Sequence, residues 1–295
     1  MTVENYAYLT EENSGLYKVL IAYPTVPYIE AFYRSPGAWD AVPAERYIFV
    51  AGENRGLCIV DVSYPSVLRE VTCLDTPGIA IDVAVSGEYA YLADYYDPDE
   101  DDKGMLRIFH VADPSSPYEV SSHRTSGWAV GVAVAGDYAY VADFSGWLRV
   151  IRITDPAQPE ETGSSATPGN AWSVVVAGEY VYVANRGDVR GLSIINVENP
   201  ETPVPVGYLP LPDETFAVAV YGSYAYVGSA RGLHVIDVTN PTAPQEVGFY
   251  ETPGGVMDVD TDGRYIYVVG REEGLLILRF LPYCSYLPLV MRGSP

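Results

Sequence analysis

Apolar and polar residues alternate along this chain in short runs, and one run recurs. An aromatic-x-aromatic-aliphatic tetrad begins at Tyr6, Tyr47, Tyr89, Tyr138, Tyr180, Tyr224 and Tyr265, at intervals of 41, 42, 49, 42, 44 and 41 residues. Alternation of period two marks a strand with one buried face. A unit of this length built from short strands cannot bury both of its faces alone, so the repetition predicts neighbours packed in a ring, a β-propeller.

Four strands can be read within one repeat, from Thr76 to Thr125. After Thr76-Pro77-Gly78, the segment Ile79 to Val85 alternates small and large, and Ser86-Gly87-Glu88 turns it into Tyr89-Ala90-Tyr91-Leu92-Ala93-Asp94. A third strand, Met105 to Val111, ends at Asp113-Pro114, where proline blocks further ladder bonding; a fourth runs from Tyr118 to His123. The tetrads put two rings on one face and Ala or Val with an aliphatic residue on the other. A bulky face meeting a lean one is how twisted sheets interdigitate. Most of the 26 tyrosines are therefore expected to be packing.

The third strands read Gly56-Leu57-Cys58-Ile59-Val60-Asp61-Val62 and Gly232-Leu233-His234-Val235-Ile236-Asp237-Val238, with shorter versions at Leu148-Arg149-Val150-Ile151 and Leu192-Ser193-Ile194-Ile195-Asn196. Asp113-Pro114, Asp155-Pro156, Asn199-Pro200 and Asn240-Pro241 follow such strands. The pattern resembles LVIVD repeats over nearly the whole chain. That resemblance implies a propeller and export to the cell surface, and it supplies no catalytic residues. The expected fold is all-β: one seven-bladed propeller domain over 1–295, of four-stranded antiparallel blades at about 1–35, 36–75, 76–124, 125–166, 167–210, 211–251 and 252–291. Six blades with a displaced seventh copy is the alternative. The outer strand of the last blade is expected from the tail, Cys284 to Met291, with Pro282 and Pro288 confining it to an edge.

Composition narrows the function. Acidic residues number 39 against 17 basic, a formal net charge of −22, which repels phosphate backbones and anionic membranes. Nucleic acid is not expected as a partner, nor is membrane insertion, since no apolar run is long enough to span a bilayer. The stretch from Gly78 to Tyr89 is 11 residues, yet only Met1 to Asn5 precede Tyr6. The first inner strand therefore looks truncated, and an export signal is expected upstream. Cys58 and Cys73 flank a hairpin turn near Pro65; a cross-strand disulfide and two buried thiols both fit, and Cys284 is left over.

Candidate chemistry lies at the loops and the channel mouth. The segment Asp94 to Gly104 holds the insertion that lengthens its repeat. Asp94, Asp97, Asp99 and Asp101 form a candidate calcium set. Asp102 stands where a turn glycine would be and Ile108 where a closing glutamate would be, so a solvated acidic loop is the competing reading. Aligning the inner strands brings Asp40, Asp82, Gly131, Ser173, Ala217 and Asp258 into equivalence. Asp40, Asp82 and Asp258 would make a one-sided acidic mouth, or else bond to loop amides. Trp39, Trp128, Trp172 and Phe216 sit in the same segments, and Trp147 opens a third strand. On the open face they would stack on a glycan or protein ligand; against a neighbouring blade they would be packing. Arg186-Gly187-Asp188 falls in a loop, and no zinc spacing, nucleophile elbow or phosphate loop is present. The expected function is a non-catalytic binding or display module of an exported protein. The alternative is a hydrolase acting on a carbohydrate or lactone through carboxylates in the propeller funnel.

Overall fold

The computed structural model describes residues 2–3, 5–97, 103–272, 274–280 and 291–292. They form seven four-stranded antiparallel sheets, each taking its strands in chain order, with no helix among the described residues. The expected seven blades are all present. In blade 3 the strands are Ala80–Ser86, Tyr89–Asp97, Lys103–His110 and Tyr118–Arg124. The tetrad lies on the second strand in every blade, with Tyr265 of blade 7 standing one residue ahead of its strand. In the last blade the outer strand is Met291–Arg292, paired with Leu276 and Ile277. The rest of the expected tail strand, residues 284–290, lies outside the described residues.

Seven apolar clusters hold the ring, one between each pair of adjacent blades. Each uses the two faces of the tetrad. Tyr91 of blade 3 packs on Ala129, Val132, Ala139 and Val141 of blade 4, and Tyr140 of blade 4 packs on Ala171, Val174, Val181 and Val183 of blade 5. Closure comes from Tyr267, Leu275 and Ile277 of blade 7 against Ala7, Val19 and Ile21 of blade 1. Side-chain burial closes the circle there; among the described residues no strand is shared across the seam. Burial pushes the hydroxyl pKa of Tyr91 and Tyr226 up to about 12.

In blades 2 to 6 one internal position escapes the apolar rule. It lies on the third strand, opposite the last residue of the tetrad, where Cys58, Arg107, Arg149, Ser193 and His234 face Val50, Leu92, Val141, Val183 and Val227. The partner that satisfies it varies. Cys58 is disulfide-bonded to Cys73, its register partner on the outer strand. Arg107 donates to Asp94 at 2.6 Å and Glu119 at 3.1 Å; Arg149 donates to Asp143 at 2.9 Å and Glu161 at 3.1 Å. Asn185 donates to Ser193 at 2.7 Å. A buried polar group without a partner is costly, so each of these blades supplies one.

Candidate functional site

The top of the channel is shaped by a repeated irregularity. In blades 3 to 7 the pairing of inner and second strands skips one residue. The skipped residues are Ile81, Val130, Trp172, Phe216 and Met257. A bulge leaves its extra residue unpaired and re-aims its side chain, and all five line one cavity of about 190 Å3. The residue after each bulge is the aligned inner-strand position. Consequently Asp82, Ser173, Ala217 and Asp258 line the cavity as well, joined by Trp39 and Asp40 of blade 2. Blade 1 contributes Tyr8, Leu9 and Thr10 from its second strand. Among the described residues its inner strand, Thr2–Val3, pairs with Tyr6 and Ala7.

The structure thus brings Asp40, Asp82, Asp258, Trp39, Trp172 and Phe216 around one space. Their carboxylates are not idle: Asp82 accepts the N–H of Val83 at 3.0 Å and that of Val132 in the next blade at 2.6 Å. Asp40 repeats the pattern one blade earlier, accepting the Val83 N–H at 3.2 Å. Asp258 accepts its own neighbour's N–H, from Val259, at 2.8 Å. The amide-bonding role expected as the alternative is therefore real, and it coexists with exposure to the cavity. Burial pushes the Asp82 pKa well up, and the charge of Asp40, its hydrogen-bond neighbour, pushes it further. Burial also raises Asp258. Asp258 is exposed where it lines the cavity, so its carboxylate stays open to solvent there.

Aromatic rings extend from the cavity along its rim. Tyr95 lies 5.0 Å from Trp128, Trp128 stacks on Phe144 at 5.7 Å, and Phe144 meets Trp172 edge-on at 5.9 Å. The Arg186 guanidinium then lies 4.0 Å over Trp172 and 4.9 Å from Phe216. Trp39 and Trp128 remain 39% exposed, enough to offer a face to a ligand. Trp147 stands apart, stacked by Arg149.

Other candidate residues take different places. Asp94 is fully buried in its ion pair with Arg107, so its carboxylate serves the blade and not a calcium loop. Asp97 ends the second strand of blade 3, and Asp99 and Asp101 lie outside the described residues. Among the described residues no group of three or more His, Cys, Asp or Glu side chains is disposed to hold a metal. In Arg186-Gly187-Asp188 the arginine is committed to the rim rings, and the Gly187 N–H donates to Glu214.

Sequence reading missed one arrangement. His234 places Nδ1 2.8 Å from Glu246 and Nε2 3.0 Å from Ser229 Oγ, the layout of a catalytic triad. Yet Ser229 is fully buried and donates its hydroxyl hydrogen to the Gly232 carbonyl at 3.0 Å. A serine carries one hydroxyl hydrogen, so while it is given to Gly232 the hydroxyl can only accept from His234, the reverse of an activated nucleophile. His234 occupies the position of Arg107 and Arg149, and Glu246 that of Glu119 and Glu161. It is the blade 6 version of the internal polar lock.

Fold and cavity define the molecule as a seven-bladed propeller with an acidic, aromatic-rimmed well at one end of its channel. The LVIVD repeat model matches residues 37–76, 77–125, 126–167, 168–208, 214–252 and 253–278, and the chain belongs to the LVIVD-repeat family. No curated protein is similar to it. Among solved structures, a candidate 6-phosphogluconolactonase from Bacteroides uniformis superposes with a TM-score of 0.83 at 13% identity, over 97% of this chain and 95% of the other. The periplasmic gluconolactonase of Pseudomonas aeruginosa gives 0.82 at 14%, over 98% and 96%. A functionally unknown protein of Desulfotomaculum acetoxidans gives 0.78 at 12%, over 99% and 100%. At such identities these likenesses show the fold.

Proposed function

We propose that this chain is a glycan-binding module of an exported protein, and that its site is the channel well. The observation that carries the reading is the convergence of three carboxylates with Trp39, Trp172 and Phe216 on one cavity. Sugar rings present an apolar face that stacks on aromatic side chains and hydroxyls that donate to carboxylates, so this pairing of groups fits that chemistry. The Cys58–Cys73 disulfide supports an oxidising compartment. Isothermal titration of the chain against a panel of oligosaccharides tests the proposal. Binding that is lost in W172A and F216A supports it, and a panel with no binder overturns it.

A second reading, hydrolysis of a sugar lactone, is favoured by the Asp40–Asp82 pair. Two adjacent carboxyls with one pKa raised can hold a single proton, giving an acid beside a base. Two structural neighbours, one named as a 6-phosphogluconolactonase and one as a gluconolactonase, point the same way, as an analogy of fold. Lactone turnover that falls in D82N while sugar binding survives would select this reading over a binding module.

A further inference from the structure

The residues six places after the first tyrosine of each tetrad are Glu12, Glu53, Tyr95, Phe144, Arg186, Ala230 and Arg271. Equivalent in every blade, they lie at the end of the second strand or just past it, on the face where the well opens. Going round the ring, this position sorts by chemistry: carboxylates on blades 1 and 2, rings on blades 3 and 4, guanidinium groups on blades 5 and 7. Blade 6, between the two arginines, has only the Ala230 methyl. Arg186 and Arg271 both lie over Phe216, at 4.9 and 5.8 Å, and Arg271 Nε reaches the Sδ of Met257 at 3.0 Å. Phe216 and Met257 are themselves cavity walls.

Glu214 answers part of the Arg186 charge, at 3.6 Å. Arg271 has no carboxylate within ion-pair distance among the described residues. With 39 acidic side chains available and 17 basic ones to satisfy, an exposed arginine held by a ring and a thioether beside a second arginine goes against the field of the whole surface. Burial lowers the pKa of Arg186, and the Arg271 charge opposes its protonation too. An anion lodged above Phe216 would be attracted by both.

We propose that the ligand is a sugar bearing a negative group, a sugar carboxylate or a sugar phosphate. Its anion sits over Phe216 between Arg186 and Arg271, with its hydroxyls directed down to the carboxylates of the well. The inference rests on the glycan-binding reading above and adds the charge and the orientation of the ligand. Separated signs fix that orientation, because an anion is repelled by Asp40, Asp82 and Asp258 and drawn to blades 5 and 7.

The test is titration of the full chain with galacturonate oligomers and with glucose 6-phosphate, each against its neutral counterpart, galactose oligomers and glucose. One of the anionic probes is expected to bind at least about tenfold tighter than its neutral partner, the size of one charge-assisted hydrogen bond. Which of them does so separates carboxylate from phosphate. R271M should abolish that preference while neutral binding stays, and added salt should erode it in the wild type. R264M is the control: Arg264 lies over Tyr265, at the opposite end of the second strand. Equal affinity for anionic and neutral sugars overturns the inference and leaves the glycan reading standing. Equal losses in R271M and R264M overturn it as a bulk charge effect. Absence of binding to any probe overturns both.

Discussion

Asp40 and Asp82 meet over a single backbone amide: the N–H of Val83 is donated to both carboxylates, at 3.2 and 3.0 Å. The two groups come from adjacent blades, so the rigid ring forces them together whatever their mutual repulsion. Burial first and the Asp40 charge second hold the Asp82 pKa above the ordinary 3.8. The folded state therefore keeps a proton that the unfolded chain has already lost. Where the native state binds more protons, stability falls as pH rises. The fall begins near 3.8 and continues to the raised pKa.

Asp40→Asn removes the second cause and keeps an acceptor for the Val83 amide. The expected result is a flatter decline of melting temperature with pH through that window and a gain at neutral pH, about 1.4 kcal/mol for each pKa unit of relief. Thermal melts of wild type and D40N across the acid range provide the check. Curves that run parallel would show that Asp82 does not feel Asp40.

Arg107 is 6% exposed and bridges Asp94, which is fully buried, to Glu119 on the outer strand. Removing one member of such a pair leaves the other charge buried without compensation, a loss of about 3–5 kcal/mol. Arg107→Met is predicted to destabilise by that amount. Arg107→Met with Asp94→Asn should recover much of it, because the stranded charge is gone. Urea denaturation of the two variants decides, and a double variant no better than the single one would show that the arginine acts by packing alone.

The period of the tetrads made the ring legible, because seven equivalent sheets with one bulky and one lean face have one way to bury both. The inner-strand alignment likewise reached Asp40, Asp82 and Asp258, since equivalent positions in a closed ring must lie at one height. Bulges at Trp172 and Phe216 could not be read from the letters: an inserted residue alters pairing without altering the alternation around it. Asp94 misled for a related reason. Its neighbours in sequence are acidic, but its partner, Arg107, is set by a ladder register that only the folded sheet displays. The sorting of the rim was present in the sequence as the residues from Glu12 to Arg271, and it gained meaning once the second strands were known to end on the open face.

Cys58 and Cys73 fill in blade 2 the position that ion pairs fill in blades 3 and 4, and they are separated by 15 residues. Closing a loop of that length restricts the unfolded chain by about 3 kcal/mol in the loop-entropy model. Reduction by dithiothreitol is expected to lower the melting temperature of the wild type and to leave that of C58A/C73A unchanged. Equal melts with and without reductant would mean that the two thiols contribute as packed side chains only.

His234 offers the sharpest contrast between likeness and role. Its contacts with Glu246 and Ser229 have the distances of a hydrolytic triad, at 2.8 and 3.0 Å. Its place in the blade is that of a structural arginine. Since Ser229 is fully buried and its hydrogen is engaged by Gly232, a serine-directed fluorophosphonate is predicted not to label this chain. Ser229→Ala should leave ligand binding and any lactone turnover at wild-type level while lowering stability by roughly 1–3 kcal/mol, the loss from leaving His234 short of a partner. Intact-mass measurement after incubation with the phosphonate, together with a urea melt of the variant, checks both statements. A covalent adduct on Ser229 would make blade 6 an active site and its resemblance to blades 3 and 4 incidental.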